Sequence, residues 1–309
     1  MTMRLLKGAG RFLVFFWAAG SLTFFLVRAI PGDPLLEMLG PNPDTRDVLR
    51  LRRSLQLDRP LAAQYAGFIL RLAFLDLGES LIDRKPVTAT LLRYLPNTLL
   101  LAVAAMALTV PFSLLLGFIS VYRESRFWEA LALAFSAVGL AVPVFLIGLL
   151  LVLLFALGLG LFPVSGSGGG EFLVLPAVTL SIPLGAFLTR MVRTVLRQES
   201  QRPYVLLARA KGLSRAQVYR RHILKNALVP IVTLAGMQAG ALLSGAIVVE
   251  SVFSWPGIGT LLVRAVRQRD FPLIQGTVLL LAAFYHLLNL LVDLSYPLLD
   301  PRISHDRSR

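Results

Sequence analysis

The 309-residue chain is 56% hydrophobic, with a mean hydropathy of +0.72 and a formal charge of +14. That apolar share excludes an ordinary soluble domain. The absence of cysteine excludes disulfides and thiolate metal sites, and His222, His286 and His305 are too scattered to form a metal cluster with carboxylates. The bases sit in short segments between apolar runs, which is a signal of membrane topology rather than of a nucleic-acid partner.

In chain order, the first predicted span covers residues 12–30. It is long for a signal-peptide core and no A-x-A site follows, so it reads as retained. Pro31-Gly32-Asp33-Pro34 stops it. Residues 31–94 mix acids (Asp44, Asp47, Asp58, Asp76, Asp83) with bases (Arg50, Arg52, Arg53, Arg59, Arg71) and read as too charged for lipid, with a helical pattern at Leu61, Tyr65, Phe68 and Leu72. The second span covers 95–122, with a kink expected at Pro111. After a charged turn (Arg123, Glu124, Arg126, Glu129) comes an uncharged run at 130–162, about 48 Å if helical. It reads as one span kinked at Pro143 with an end in the interface. A flexible Ser165–Gly170 loop follows, then a span at 174–191, a basic segment at 193–230, a span at 231–249, a loop at 250–272 and a span at 273–296. The expected class is an all-α polytopic membrane protein with six spans in one domain.

Six spans place both termini on one side. Arg4, Lys7, Arg11, Arg123, Arg126, Arg302, Arg307 and Arg309 fall on that side together with the basic segment, in which Arg193, Arg197, Arg202, Arg209, Lys211, Arg215, Arg220, Arg221 and Lys225 face a single acid, Glu199. The positive-inside rule makes it cytoplasmic.

Within the basic segment, Pro203 suits a first helical turn and Tyr204–Lys211 continue it. Gly212 suits the left-handed position after a helix. Ser214 and Gln217 have the spacing of a capping box, and Leu213 and Val218 that of a hydrophobic staple. The second helix is expected to reach Asn226, with re-entry into the membrane at Pro230. Two readings fit: a docking knob, or a basic amphipathic loop lying on anionic lipid.

Ala208-Arg209-Ala210-Lys211-Gly212-Leu213, followed by His222 to Pro230, resembles the cytoplasmic EAA loop of ABC importer permeases, in the dipeptide/oligopeptide/nickel branch. Leu206 stands where the general pattern has Glu. The resemblance extends along the chain: Phe25-Leu26-Val27-Arg28 with Pro31-Gly32-Asp33-Pro34; Leu57-Asp58-Arg59-Pro60 with Gln64-Tyr65; Asp76-Leu77-Gly78 with Ser80; Leu95-Pro96-Asn97-Thr98; Glu250-Ser251-Val252-Phe253-Ser254-Trp255-Pro256-Gly257-Ile258-Gly259; Arg269-Asp270-Phe271-Pro272; and Leu299-Asp300-Pro301-Arg302. It implies a non-catalytic permease in a bacterial or archaeal plasma membrane. Its implied partners are a second, paralogous permease, two ATPase subunits and an extracytoplasmic substrate-binding protein. ATP and Mg would be bound by the ATPase subunits, since this chain has no G-x-x-x-x-G-K-[ST] phosphate loop. Tyr204, Ala208 to Ser214, Gln217 and His222 would form the coupling loop. Peptides are the cargo expected; nickel complexes, glutathione and oligosaccharides are the alternatives.

Other residues keep two readings each. Gly236, Gly240 and Ser244 have the spacing of close helix packing, within the subunit or across a dimer, or could line a pathway. Gln238 could line the pathway or bond to another helix. His286, Asn289 and Asp293 share a helix face, either for a functional role of ionisable groups within the membrane or, with Asp293 near the cytoplasmic end, for anchoring or pairing. Glu250, Phe253, Trp255, Pro256, Gly257 and Gly259 form either a re-entrant gate or a tight outer turn. An ion-coupled carrier usually has buried acids near the midplane, and the second, third and fifth spans carry none in their apolar stretches. A non-transport membrane scaffold is the remaining alternative.

Overall fold

The computed structural model describes residues 2–29, 46, 49, 52 and 58–299. The Pro31–Pro34 exit, Leu57 and the Asp300-Pro301-Arg302 terminus with Arg307 and Arg309 lie outside the described residues. Helices dominate because hydrocarbon offers the backbone no other hydrogen-bond partner. They are α1 (Thr2–Ala29), α2 (Leu61–Ala73), α3 (Val87–Tyr122), α4 (Arg126–Ala141), α5 (Val144–Leu151, extended by a π-helical stretch Val152–Gly158), α6 (Glu171–Ser200), α7 (Pro203–Ala210), α8 (Arg215–Val218), α9 (Leu224–Val252), α10 (Ile258–Arg267) and α11 (Phe271–Leu299). Among the described residues, four helical stretches are long and apolar enough to cross a membrane, Val87–Tyr122, Glu171–Ser200, Arg215–Leu242 and Phe271–Leu291. The pair α4 and α5 makes a fifth if taken as one span, and Val14–Ala29 is a shorter apolar helix.

Helix boundaries outrun hydropathy. α3 begins at Val87, not Leu95, and passes through Pro96 and Pro111. α6 passes through Pro176 and Pro183 and carries Arg193 and Arg197. A π-helical turn, Tyr219–Ile223, joins α8 to α9, so the second helix of the basic segment and the following span are continuous, with Pro230 inside. The loop expected at 250–272 contains α10. At Pro143 the expected kink is a corner: α4 and α5 meet at 105°. Proline pushes the residue before it out of helical geometry. Val142 (φ −86°, ψ 125°) and Pro143 (φ −58°, ψ 138°) are accordingly both extended.

The described residues fall into two compact units, one drawn from residues up to Thr98 plus Pro256–His286, the other from Leu99–Trp255 plus residues from Leu287 on. In the first unit α2 folds back along α1. Arg28 faces Gln64, Phe24 faces Phe68 and Gly20 faces Leu72, an antiparallel ladder covering about 12 Å of α1. Arg28 bonds to Gln64 Oε1 through Nε (3.3 Å) and Nη2 (3.2 Å) and lies 3.5 Å over the Phe24 ring. A second cluster joins Val87 and Leu91 of α3 to Ile258, Leu261 and Ala265 of α10 and Leu273 of α11.

In the second unit α6 is the central element. Leu180, Leu188 and Leu196 are completely buried along it. Glycines allow its neighbours to approach. A Cβ on Gly139 of α4 would lie 2.6 Å from Ala186 Cβ, one on Gly117 of α3 would lie 2.7 Å from Val192 Cγ1, and one on Gly245 of α9 would lie 2.9 Å from Leu180 Cδ1. Ser113 of α3 donates to the Gly185 carbonyl at 3.1 Å. This is packing by small residues and interhelical hydrogen bonds, as in membrane bundles generally. Gly139→Ala should therefore overpack the α4–α6 contact and cost about 1–3 kcal/mol, read as a fall in the melting temperature of the detergent-solubilised protein. The same substitution at Gly170, where a Cβ meets nothing within 4 Å, is the control.

Candidate functional site

The basic segment folds into a capped corner. α7 starts at Pro203. It buries Val205 and Ala208 and turns Leu206 (65% exposed) and Leu207 (58%) outward. At its end Gly212 takes φ +80° and donates to the Arg209 carbonyl at 2.9 Å, while Leu213 N–H reaches the Ala208 carbonyl at 3.3 Å. The chain then reverses into α8 through a complete capping box. Gln217 N–H donates to Ser214 Oγ (3.4 Å), and Ser214 N–H donates to Gln217 Oε1 (2.9 Å). Beneath the corner, Val205, Ala208, Val218, Tyr219 and Ile223 share one apolar cluster with Leu188, Val192 and Leu196 of α6, and Leu213 packs on it.

The polar contacts fix the corner from its flanks. Tyr204 is half-buried and donates to Glu199 Oε2 at 2.6 Å, with the His222 ring 6.4 Å away. Burial, and then the bond to the Glu199 carboxylate, push its phenol pKa up, so it remains a donor at neutral pH. Arg215 lies 2.8 Å from Glu124 and over the rings of Tyr122 (5.1 Å) and Tyr219 (5.7 Å). Arg193 pairs with Glu129, and Arg197 joins them at 3.4 Å. The turn between α3 and α4 is thus tied to α6 and to the corner. Sequence reasoning missed these pairs, since Glu124 and Glu129 read only as a charged turn. Outward, Arg209, Ala210, Lys211, Arg220, Arg221 and Lys225 are exposed, and none of the cations among them has a carboxylate within ion-pair distance among the described residues.

Most of the turn at 250–259 is buried, with Ser251 and Ser254 exposed. Glu250 (0% exposed), Phe253 (2%) and Trp255 (4%) lie inside the second unit. Trp255 N–H donates to the Glu250 carbonyl at 2.8 Å, and Ser254 takes φ +50°. In the first unit, Asn97 Nδ2 donates to the Pro256 carbonyl (2.8 Å) and Ile258 N–H donates to Thr98 Oγ1 (2.7 Å). Gly257 and Gly259 are buried where α10 begins. Two separated motifs, Leu95–Thr98 and Glu250–Gly259, therefore meet. So do two others. Asp270, fully buried, accepts from Ser80 Oγ, from Leu81 N–H (3.1 Å) and from Leu273 N–H (3.3 Å). It caps α11 and holds the hairpin that closes when Val87 N–H reaches the Gly78 carbonyl.

On α9, Gly236 is half-buried, Gly240 buried and Ser244 exposed, the Ser244 hydroxyl donating to the Ala241 carbonyl at 2.8 Å. The three do not make one uniform contact within the chain. Gln238 Nε2 donates to the Leu184 carbonyl of α6 at 3.4 Å. His286 stacks on Phe15 at 6.0 Å. No group of three or more His, Cys, Asp or Glu residues could hold a metal among the described residues.

Residues 109–305 match the family described as binding-protein-dependent transport system inner membrane component, and residues 1–102 match its N-terminal companion family. The chain is 39% identical to the di/tripeptide transport system permease protein DppB of Pseudomonas aeruginosa (strain UCBPP-PA14), over 94% of this chain and 96% of that one. It is 36% identical to the glutathione transport system permease protein GsiC of Salmonella typhimurium (strain LT2), over 92% and 93%. The inward-facing MetNI methionine ABC transporter structure superimposes with a TM-score of 0.50 at 18% identity, covering 69% of this chain and 94% of that one.

Proposed function

The chain belongs to the family of binding-protein-dependent transport system inner membrane components, and from that membership we propose that the corner around α7 is its coupling surface to separate ATPase subunits. The chain is a multi-pass, non-catalytic permease subunit of an ABC importer. The observation that carries the coupling proposal is the pair of exposed leucines, Leu206 and Leu207, on a short helix braced from three sides and ringed by cations with no carboxylate partner among the described residues. A loop resting on lipid needs no capping box, no buried cluster and no ion pairs to the neighbouring turn. A lever needs all of them.

In this reading the corner faces the cytoplasm with both termini, and two ATPase subunits bind ATP and Mg. A second, paralogous permease completes the pathway, and a binding protein delivers cargo from the opposite side. Peptides are the cargo proposed, because relatives matching 92–99% of the chain are named as di/tripeptide, putative peptide and glutathione transport permeases. A gradient-driven carrier is the competing reading. Depleting ATP while the ion gradient is maintained stops an importer and spares a carrier.

The chain has no cysteine, so a single introduced thiol reports cleanly. Leu206→Cys labelled with a maleimide-benzophenone should photo-cross-link to an ATPase subunit in the assembled complex, whereas Gly67→Cys on α2 labelled in the same way should not. Absence of any Leu206 cross-link in a complex that contains the ATPase would remove α7 as the coupling surface.

A further inference from the structure

The first unit contains a cleft of about 760 Å³ between α2, the 78–87 hairpin and the start of α11. Its walls carry Arg28, Arg59, Arg71 and Arg84 against two carboxylates, Asp76 and Glu79. Arg28 is spent on Gln64 and Phe24. Arg59, Arg71 and Arg84 have no carboxylate within ion-pair distance among the described residues. Asp76 turns Oδ1 to its own loop, accepting from Gly78 N–H at 2.9 Å. The Ser80 hydroxyl is committed to Asp270. At the inner wall Gln275 is 7% exposed, and its buried Nε2 finds no acceptor among the described residues. A buried amide donor left unmatched is costly, and this one lines the cleft that the arginines surround. The set asks for an anion with several acceptor oxygens.

The rim says what the anion is attached to. Leu70 lines the cleft and is 64% exposed. Phe74 (85%) and Leu75 (72%) follow it at the end of α2, and the cleft wall resumes at Asp76 and Leu77. α2 itself lies along the final turns of α1, the first apolar helix. An apolar tip beside unpaired arginines is the arrangement met at the boundary between headgroups and acyl chains. We infer that this cleft binds an anionic phospholipid. The phosphate bonds to Arg71, Arg84 and the Gln275 amide, and the acyl chains run over Leu70, Phe74 and Leu75. The site is separate from the coupling corner and requires only that the chain reside in a membrane.

The test uses the whole importer complex, purified in mild detergent, stripped of lipid and returned to nanodiscs of phosphatidylcholine doped with phosphatidylglycerol. Retained phosphatidylglycerol is counted by native mass spectrometry. The wild type is expected to hold it through a detergent wash, and Arg71→Gln and Arg84→Gln each to weaken retention about five-fold. Gln275→Leu leaves the net charge unchanged and is also expected to weaken retention several-fold, which separates a built site from diffuse attraction. All three variants should assemble with their partners as the wild type does. Millimolar inorganic phosphate should not displace the lipid. Equal retention by wild type and Gln275→Leu would overturn the proposal. Displacement by inorganic phosphate would also overturn it, by making the cleft a site for a soluble anion, as would displacement by an acidic peptide, by making it a protein-docking surface.

Discussion

A Gly212→Pro permease is expected to assemble with its partners but to transport about a hundred-fold more slowly than the wild type, while ATP hydrolysis continues. Gly212 sits at φ +80°, which the proline ring cannot adopt. Its N–H donates to the Arg209 carbonyl at 2.9 Å, and proline has none to give. Strain and the lost bond together come to about 3 kcal/mol, enough to shift the population of the docked corner by about two orders of magnitude. Gly212→Ala provides a graded control. No atom lies within 4 Å of an added Cβ, so alanine has only the left-handed backbone to oppose it, about 1–2 kcal/mol, and a reduction of about ten-fold follows. Transport and ATPase rates measured together in proteoliposomes check both. Normal uptake by the proline variant would show that the corner need not be stiff.

The largest stability effect is expected at Asp270. Asp270→Ala leaves the Ser80 hydroxyl and the Leu81 and Leu273 N–H groups without their acceptor in a fully buried position. Each orphaned donor costs about 1–3 kcal/mol, and part of that is the cap of α11. A total of about 3–5 kcal/mol belongs to the upper range of single substitutions. It should appear as a drop of about 10 °C in melting temperature and as loss of protein from the membrane fraction. Asp270→Asn keeps one acceptor oxygen and should fall between. Ser80→Ala, which removes one partner and leaves the carboxylate its two amide donors, should be mildest. A change under about 2 °C for Asp270→Ala would mean that the hairpin is held by the apolar cluster around Val87 and Leu91 instead.

Much of this architecture was legible. Apolar runs marked helices, the Leu61–Tyr65–Phe68–Leu72 spacing marked α2, and Pro203, Gly212 and Ser214 marked the corner to the residue, because caps and turns are written in local chemistry. Long-range geometry was not. A proline announces a break but not whether the helices meet at a shallow angle or at 105°. That is set by what α4 and α5 pack against. The acids and bases of the segment after α1 did not say what its helix packs against. In three dimensions α2 turns an apolar face to Phe24 and Gly20. The continuity of α8 and α9 was hidden by Pro230, which a long helix accommodates by leaving one carbonyl unmatched.

The motifs that carried the resemblance gain a physical meaning. Asn97 and Thr98 hold the backbone at Pro256 and Ile258, and Asp270 holds Ser80 and Leu81. Each motif is half of a contact whose other half lies about 160 or 190 residues away. A single sequence shows both halves but not that they meet. The candidate site was read through its exposed residues. Its bracing by Glu124 and Glu129 needed coordinates, since a carboxylate in a short turn has no preferred partner until the fold supplies one.

The central claim is that this chain is one half of a membrane pathway driven by ATPase subunits it docks through α7. The most direct measurement is to tag the chain, solubilise native membranes in mild detergent, and identify and count what is recovered with it. The account predicts a stoichiometric complex with two ATPase subunits and a second, paralogous permease, and loss of the ATPase subunits when Leu206 and Leu207 are both replaced by Asp. Recovery of the chain alone or as a homo-oligomer, from membranes shown to contain those subunits, would contradict it.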